Sequence, residues 1–98
     1  MPPTWLSPPQ DLSVIAGQPV TFSASAIGYP DPIIRWKRQS DNSSDFKVII
    51  SNANMQTLEN GSLVIREASK SDAGRYMCQA LNGVGPGVSV VVKLTVHG

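Results

Sequence analysis

Residues 72–81, DAGRYMCQAL, contain the clearest strand pattern of the chain. From Tyr76 to Leu81 the side chains fall into two alternating sets, one with Cys78 and the other with Gln79. Successive side chains of a strand point to opposite faces of its sheet. The segment therefore predicts a strand with one buried face, entered through a turn at Asp72.

Similar short segments lie on both sides of this strand. Residues 20–26 alternate apolar side chains with Thr and Ser, and residues 34–37 alternate apolar with basic side chains. Val88 to Val96 is a β-branched run long enough for a final strand. Turn-forming residues cluster between the segments, at 7–9, 16–19, 28–32, 40–45, 60–61 and 83–87. Because no window carries a helical period, we predict an all-β, two-sheet sandwich.

Composition narrows the class of protein further. Ninety-eight residues with 41% hydrophobic side chains suit one domain with one core. Charged residues make up only 15% of the chain, and the net charge is +1. This balance gives no electrostatic reason to expect nucleic-acid binding or direct membrane contact. No apolar run approaches the roughly 20 residues of a membrane helix.

The chemistry-bearing residues predict neither an enzyme nor a cofactor site. The one histidine, His97, is next to the C-terminus, so no base is placed beside a nucleophile. Cys78 falls on the buried set of its strand, and we expect an inert thiol. One Cys and one His cannot build a zinc site, and the aspartates lack calcium-loop spacing. We therefore expect no catalytic residue, no metal and no cofactor.

These residues resemble the immunoglobulin superfamily, and specifically its intermediate (I) set. Residues 72–78 are similar to the family's entry into strand F, which implies that the Tyr76 hydroxyl bonds back to backbone near Asp72. Trp36 stands where the family has its strand-C tryptophan, and residues 79–85 are similar to the F–G hairpin. The resemblance covers nearly the whole chain. It implies one immunoglobulin-like sandwich over residues 1–98.

The chain departs from this family at the intersheet disulfide. The family's strand-B cysteine would stand four residues after Val20, and that position holds Ala24. Cys78 is then an unpaired thiol facing Trp36 in the core. Losing such a bridge lowers the free energy of unfolding by about 2–5 kcal/mol, and the whole free energy of unfolding of a domain is roughly 5–15 kcal/mol. We expect the fold to survive because Ala24 keeps the apolar pattern and Trp36 and Phe22 compensate in part.

Several loops are similar to the Down syndrome cell adhesion molecule (Dscam) group, in particular its arthropod members. They are residues 28–32, the polar insertion 39–47, the turn 60–65 and the hairpin 81–87. Contactins and sidekicks share some of them. The resemblance implies an extracellular module of a cell-membrane receptor. Met1 before Pro2-Pro3 is typical of a start codon placed on an excised domain, so we expect a fragment of a larger multidomain receptor. Two sequons predict glycans at Asn42 and Asn60, although Asn60-Gly61 also serves as a turn.

Two surfaces are candidates for binding a protein. One is the outside of the C–F–G sheet, where apolar groups among basic and amide groups resemble an interface centre, although scattered exposed apolar residues are also normal. Its residues are Ile33, Arg35, Lys37, Met77, Gln79 and Leu81. The opposite face is flat and nearly uncharged, so two copies could meet there without charge repulsion. Its residues are Thr21, Ser23, Ser25, Ser62, Val64 and Arg66. In the Dscam family, homophilic pairing of certain domains uses this side.

Three functions remain open. The first is a cell-adhesion or recognition module that binds a protein, including a second copy of itself in trans or in cis, in neuronal self-recognition or immunity. The second is an intracellular structural immunoglobulin domain of a giant muscle-type protein, and the third is a soluble arthropod immune receptor. Ala24 with the lone Cys78 favours the second. The sequons, the polar insertion and the hairpin favour the first, which we adopt.

Overall fold

The computed structural model describes residues 1–39, 45–59 and 61–98. Ten strands lie in these ranges: β1 (Thr4–Ser7), β2 (Leu12–Ile15), β3 (Val20–Phe22), β4 (Ser25–Ile27), β5 (Ile33–Gln39), β6 (Phe46–Val48), β7 (Met55–Thr57), β8 (Leu63–Ile65), β9 (Gly74–Leu81) and β10 (Val88–His97). A single 3-10 turn, Lys70–Asp72, precedes β9. The described residues contain no α-helix, so the all-β prediction is confirmed. Nor do they include a helix with the length and hydropathy of a membrane span.

The strands form two layers. One layer is a five-stranded sheet in the order β2-β10-β9-β5-β6, antiparallel except for the parallel pair β2–β10. The other layer contains the three-stranded sheet β3-β8-β7. The strand predicted over residues 20–26 is interrupted at Ser23 and Ala24, and its second half, β4, pairs with β1. The two layers pack face to face as a sandwich, because each has one apolar face to bury.

The core between the layers is built around three aromatic rings. The centroid of the Phe22 ring lies 5.6 Å from that of Trp36 and 5.7 Å from that of Tyr76. All three side chains are almost completely buried. Aromatic rings at such separations attract each other beyond the gain from burying their area. The alternation predicted for β5 and β9 therefore turns their largest side chains, Trp36 and Tyr76, toward the centre of the core.

The indole of Trp36 also ties β5 to the chain that leads into β8. Its Nε1 donates a buried hydrogen bond of 3.0 Å to the carbonyl oxygen of Gly61. Gly61 has a φ of +95°, and a Cβ there would stand 2.7 Å from the Ala24 carbonyl oxygen. Only glycine fits this close approach without strain. The hydrogen bond thus depends on both the tryptophan and the glycine.

Ala24 and Cys78 lie in the same buried cluster as Trp36. Cys78 is a free thiol with no exposed surface, and Ala24 is 6% exposed. The positions that would carry the bridge therefore face the core as a methyl group and a thiol, and no disulfide joins the two sheets between them.

Tyr76, near the start of β9, holds the turn that leads into this strand. Its hydroxyl donates a buried hydrogen bond of 2.5 Å to the carbonyl oxygen of Asp72. The Asp72 carboxylate accepts the backbone N–H of Ser69 at 2.9 Å, and Arg38 lies 3.8 Å from the same carboxylate. Arg38 also donates to the carbonyl oxygen of Ser71. These contacts fix the direction in which β9 enters its sheet.

We predict that Ala24→Cys restores the bridge. The new thiol would form a disulfide with Cys78 under oxidising conditions, which constrains the unfolded chain and raises the free energy of unfolding by about 2–4 kcal/mol. Urea unfolding with and without dithiothreitol measures the gain, and the reduced variant is the control. Two titratable thiols in the oxidised protein would show that residues 24 and 78 do not meet as described.

Candidate protein-binding faces

The outer side of the five-stranded sheet brings together the first predicted set of residues. Ile33 stands opposite Leu81, Arg35 opposite Gln79, and Lys37 opposite Met77 across the β5–β9 pair. Ile33 and Arg35 are exposed, and the other four are partly buried. We call this surface the Met77 face: the outward residues of β5, β6, β9 and β10. The pairing makes these six residues neighbours on one surface.

Two exposed apolar residues of the Met77 face were not predicted from the sequence. Val48 on β6 stands opposite Lys37, and Val91 on β10 stands opposite Met77. Their side chains are 54% and 48% exposed. Val91 lies inside the run Val90 to Val92, where identical side chains hide the alternation. The register of β6 follows from its pairing with β5, which the sequence does not display.

The Met77 face is positively charged. Arg35, Lys37, Arg75 and Lys93 all occupy outward positions, because their neighbours Trp36, Tyr76 and Val92 are buried. No outward strand position of this face holds Asp or Glu among the residues that the structure describes. Asp11 reaches one end of the face, where its Oδ1 accepts the backbone N–H of Lys93 at 2.8 Å. Half of the chain's eight Lys and Arg residues therefore lie on one side of the sandwich.

The opposite face is centred on Val64, which stands between Thr21 and Gln56 across β3-β8-β7. We call it the Val64 face: the outward residues of β3, β4, β7 and β8 with their flanking Ser23 and Arg66. Thr21, Ser23 and Arg66 are exposed, and Ser25 and Val64 are partly buried. Arg66 is its one cation. The surface is flat and nearly uncharged, because its strands are short and carry Thr, Ser, Gln and Val.

Ser62 was wrongly expected on this surface. It is only 8% exposed. The chain folds back immediately before it, with the Leu58 N–H bonded to the Ser62 carbonyl oxygen at 2.8 Å, and Gly61 is pressed against Ala24 and Ile34. The turn therefore covers Ser62, and strand alternation does not apply to a residue that precedes β8.

The predicted glycosylation sites Asn42 and Asn60 lie outside the described residues. Both remain predictions from the sequence.

The described residues show no alternative chemical site. They include no group of three or more His, Cys, Asp or Glu side chains arranged to hold a metal ion. An open groove of about 580 Å³ runs between β6 and the corner at Asp72. Two of the charged side chains that line it, Arg38 and Asp72, form an ion pair at 3.8 Å. Their pairing at the corner before β9 accounts for these two charges.

A family comparison decides the class of the domain. The model of the family described as immunoglobulin domain matches residues 2–82. The chain belongs to the immunoglobulin domain family. This places the buried Trp36, the Tyr76 corner and the two-layer sandwich in one known fold, and it confirms the resemblance seen in the sequence.

The relatives of this immunoglobulin domain are adhesion molecules. Cell adhesion molecule DSCAM of Homo sapiens is 39% identical over 97 residues, a match that covers 98% of this chain and 5% of that protein. Cell adhesion molecule Dscam1 of Drosophila melanogaster is 31% identical over 98 residues and is likewise covered over 5% of its length. The chain thus spans about one-twentieth of the curated relatives that it matches.

Solved structures agree on the fold. A crystal structure of the N-terminal eight Ig domains of Down syndrome cell adhesion molecule superposes with a TM-score of 0.90 and 31% identity, covering 99% of this chain and 12% of that one. A chain of a titin and obscurin-like 1 Ig complex superposes with a TM-score of 0.85 and 23% identity, covering 98% of this chain and 93% of that one. The second match shows the fold alone. The family and the adhesion-molecule relatives show that this domain is not an enzyme.

Two buried groups have strongly raised pKa values. Burial raises the pKa of the Cys78 thiol from 9.0 to about 12. Burial also raises the pKa of Tyr76 from 10.0 to about 12, with the positive charge of Arg38 opposing the shift and Asp72 adding to it. Both groups stay neutral at physiological pH, so Cys78 is not a nucleophile in the folded domain.

We predict an alkaline loss of stability with a defined onset. The unfolded chain loses the thiol proton near its ordinary pKa of 9.0, whereas the folded domain keeps it until about pH 12. The stability due to this group is therefore complete below pH 9 and falls between pH 9 and 12. In Cys78→Ala the decline should begin about one pH unit later, near pH 10.0. There the unfolded chain loses the Tyr76 proton that the folded domain still keeps. Urea midpoints from pH 8 to 11 measure the onset, and the same onset in both proteins would contradict the assignment.

Proposed function

We propose that this immunoglobulin domain is an extracellular adhesion module of a Dscam-type cell-membrane receptor, and that it pairs with its own copy through the Val64 face. The adhesion relatives at 39% and 31% identity over nearly the whole chain support the first part. The proposal for the receptor as a whole rests on a domain that covers 5% of those relatives. Neuronal recognition and immunity are the settings that such a receptor would serve.

The charge difference between the two faces carries the proposal for pairing. In a twofold dimer the same patch of both copies meets, so a patch that carries a net charge is brought against a second patch of the same charge. Two Met77 faces would oppose Arg35, Lys37, Arg75 and Lys93 of one copy to the same cations of the other, and like charges in contact disfavour association. Two Val64 faces would bring together only one cation from each copy, Arg66. Thr21, Gln56 and Val64 offer hydrogen-bonding and apolar groups without that repulsion.

The alternative is an intracellular structural domain of a giant muscle-type protein. One observation favours it: Cys78 is an unpaired buried thiol, as a reducing compartment would leave it. The titin and obscurin-like 1 match, however, is 23% identical and shows only the fold. The adhesion molecules are more similar in sequence, so we adopt the extracellular function. Glycans at Asn42 and Asn60 belong to that proposal, and intact-mass measurement of the domain secreted from animal cells tests them.

Sedimentation equilibrium of the domain from about 1 to 500 micromolar tests the pairing. We expect a weak dimer in the wild type that is lost in Val64→Arg, because the substitution buries a guanidinium group of each copy in an interface that already holds Arg66 of both copies. Val91→Arg is the matched control, since Val91 is also an outward valine in the middle of a strand but lies on the Met77 face. It should leave the dimer intact.

Two results would contradict the proposal. The wild type could remain monomeric throughout the concentration range, or Val91→Arg could abolish the dimer while Val64→Arg does not. Far-UV circular dichroism and urea unfolding of both variants establish that any effect comes from the surface and not from loss of folding.

A further inference from the structure

The four cations of the Met77 face form a diagonal line across three strands. Arg75 and Lys93 stand directly opposite each other on β9 and β10. Lys37 stands opposite Met77, which is two residues from Arg75 on the same side of β9. Arg35 is the next outward residue of β5. We call these four residues the cation line.

The dimensions of a β-sheet set the length of the cation line. Neighbouring strands lie about 4.8 Å apart, and two residues along a strand span about 6.8 Å. The steps from Lys93 to Arg75, from there to Lys37, and on to Arg35 therefore add up to a backbone path of about 20 Å. No step exceeds about 9 Å, so the side chains form an unbroken positive track rather than separate points.

Within the part of the chain that the structure describes, no salt bridge pairs any of the four cations with a carboxylate. The ion pair between Arg38 and Asp72 lies on the inner side of the sheet and does not involve these four residues. Arg35, Arg75 and Lys93 are exposed, and Lys37 is partly buried. Asp11 lies at one end of the line, where it accepts the backbone N–H of Lys93. Like charges that a sheet holds at fixed spacing repel one another. A bound anion removes that repulsion and needs no rearrangement of the backbone.

We infer that the cation line is a binding site for a sulfated polysaccharide chain. The ligand chemistry follows from three features: a linear array of cations, a flat and open surface, and the neutral hydrogen-bonding groups of Gln79 and Ser89 in the row of Arg35. Sulfate groups repeated along an extended chain match cations repeated along a line. Arg guanidinium groups donate paired N–H hydrogen bonds to the oxygens of an anionic group such as sulfate, and the Lys ammonium group acts as a point charge.

The shape of the site distinguishes it from a site for a protein partner. Protein interfaces concentrate their binding energy in a few central, fully desolvated side chains. The cation line instead runs past the apolar row of Met77 and Val91 and spreads its charges along a backbone path of about 20 Å. The inference is independent of the proposed self-pairing, since it uses the opposite face of the sandwich. One side of the domain would meet another copy while the other side holds the glycan.

Titration calorimetry with a defined heparin octasaccharide tests the inference. The line variant is Arg35→Gln with Lys37→Gln, and the matched control is Lys47→Gln with Lys70→Gln, which removes the same charge outside both the cation line and the Val64 face. At 0.15 M NaCl we expect the line variant to raise Kd about tenfold, as the loss of two exposed charge contacts implies, and the control to change it less than twofold. The dependence of log Kd on log salt concentration should also become shallower in the line variant only.

Three results would overturn the inference. The wild type could fail to bind the octasaccharide, the two variants could weaken binding equally, or poly-glutamate could bind as tightly as heparin and thereby identify an acidic polypeptide as the preferred partner. Sedimentation equilibrium of the line variant separates this site from self-pairing. Loss of heparin binding with an unchanged dimer supports two independent faces, whereas loss of both assigns the cation line to the dimer and contradicts the inference.

Discussion

The packing of Trp36 against Phe22 and beneath Gly61 is the constraint on which the rest of the sandwich depends. An immunoglobulin domain usually joins its two sheets covalently, and this chain has only Cys78 with which to do so. The two sheets must therefore be positioned by side-chain contact and by the hydrogen bond from the Trp36 indole to the Gly61 carbonyl oxygen. That bond crosses from β5 to the chain that enters β8, one strand in each layer. Because this hydrogen bond is buried and directional, it fixes how the two layers are placed relative to each other at this point.

The alternation of side chains connects this core to the function. Once Trp36 and Cys78 face inward, their neighbours Arg35, Lys37 and Met77 must face outward. On the other layer, burial of Phe22 and Leu63 turns Thr21 and Val64 outward. The two outer faces are then distinguished by composition: one collects four cations, and the other keeps a single Arg66. A domain of low net charge can in this way carry one strongly basic side and one nearly neutral side, which suit different partners.

The sequence revealed most of what depends on period-two patterning. The inward positions of Trp36, Tyr76 and Cys78 and the outward positions of Ile33 and Met77 follow from alternation within single strands. Ser62 was misplaced because a turn covers it. Val48 and Val91 were missed because a run of valines carries no alternation and because the register of β6 depends on its pairing with β5. The cation line escaped for the same reason: Arg75 and Lys93 become neighbours only when β9 and β10 pair.

Equilibrium urea unfolding of Trp36→Phe, followed by far-UV circular dichroism, tests most directly whether this packing takes the place of the bridge. The substitution shrinks the central ring and leaves the buried Gly61 carbonyl oxygen without its donor. We expect it to lower the free energy of unfolding by about 2–3 kcal/mol. Trp5→Phe, at a half-buried tryptophan of β1, is the matched comparison and should cost less than about 1 kcal/mol. Equal losses in the two variants would contradict the account, because the sheets would then be held together by something other than the contacts of Trp36.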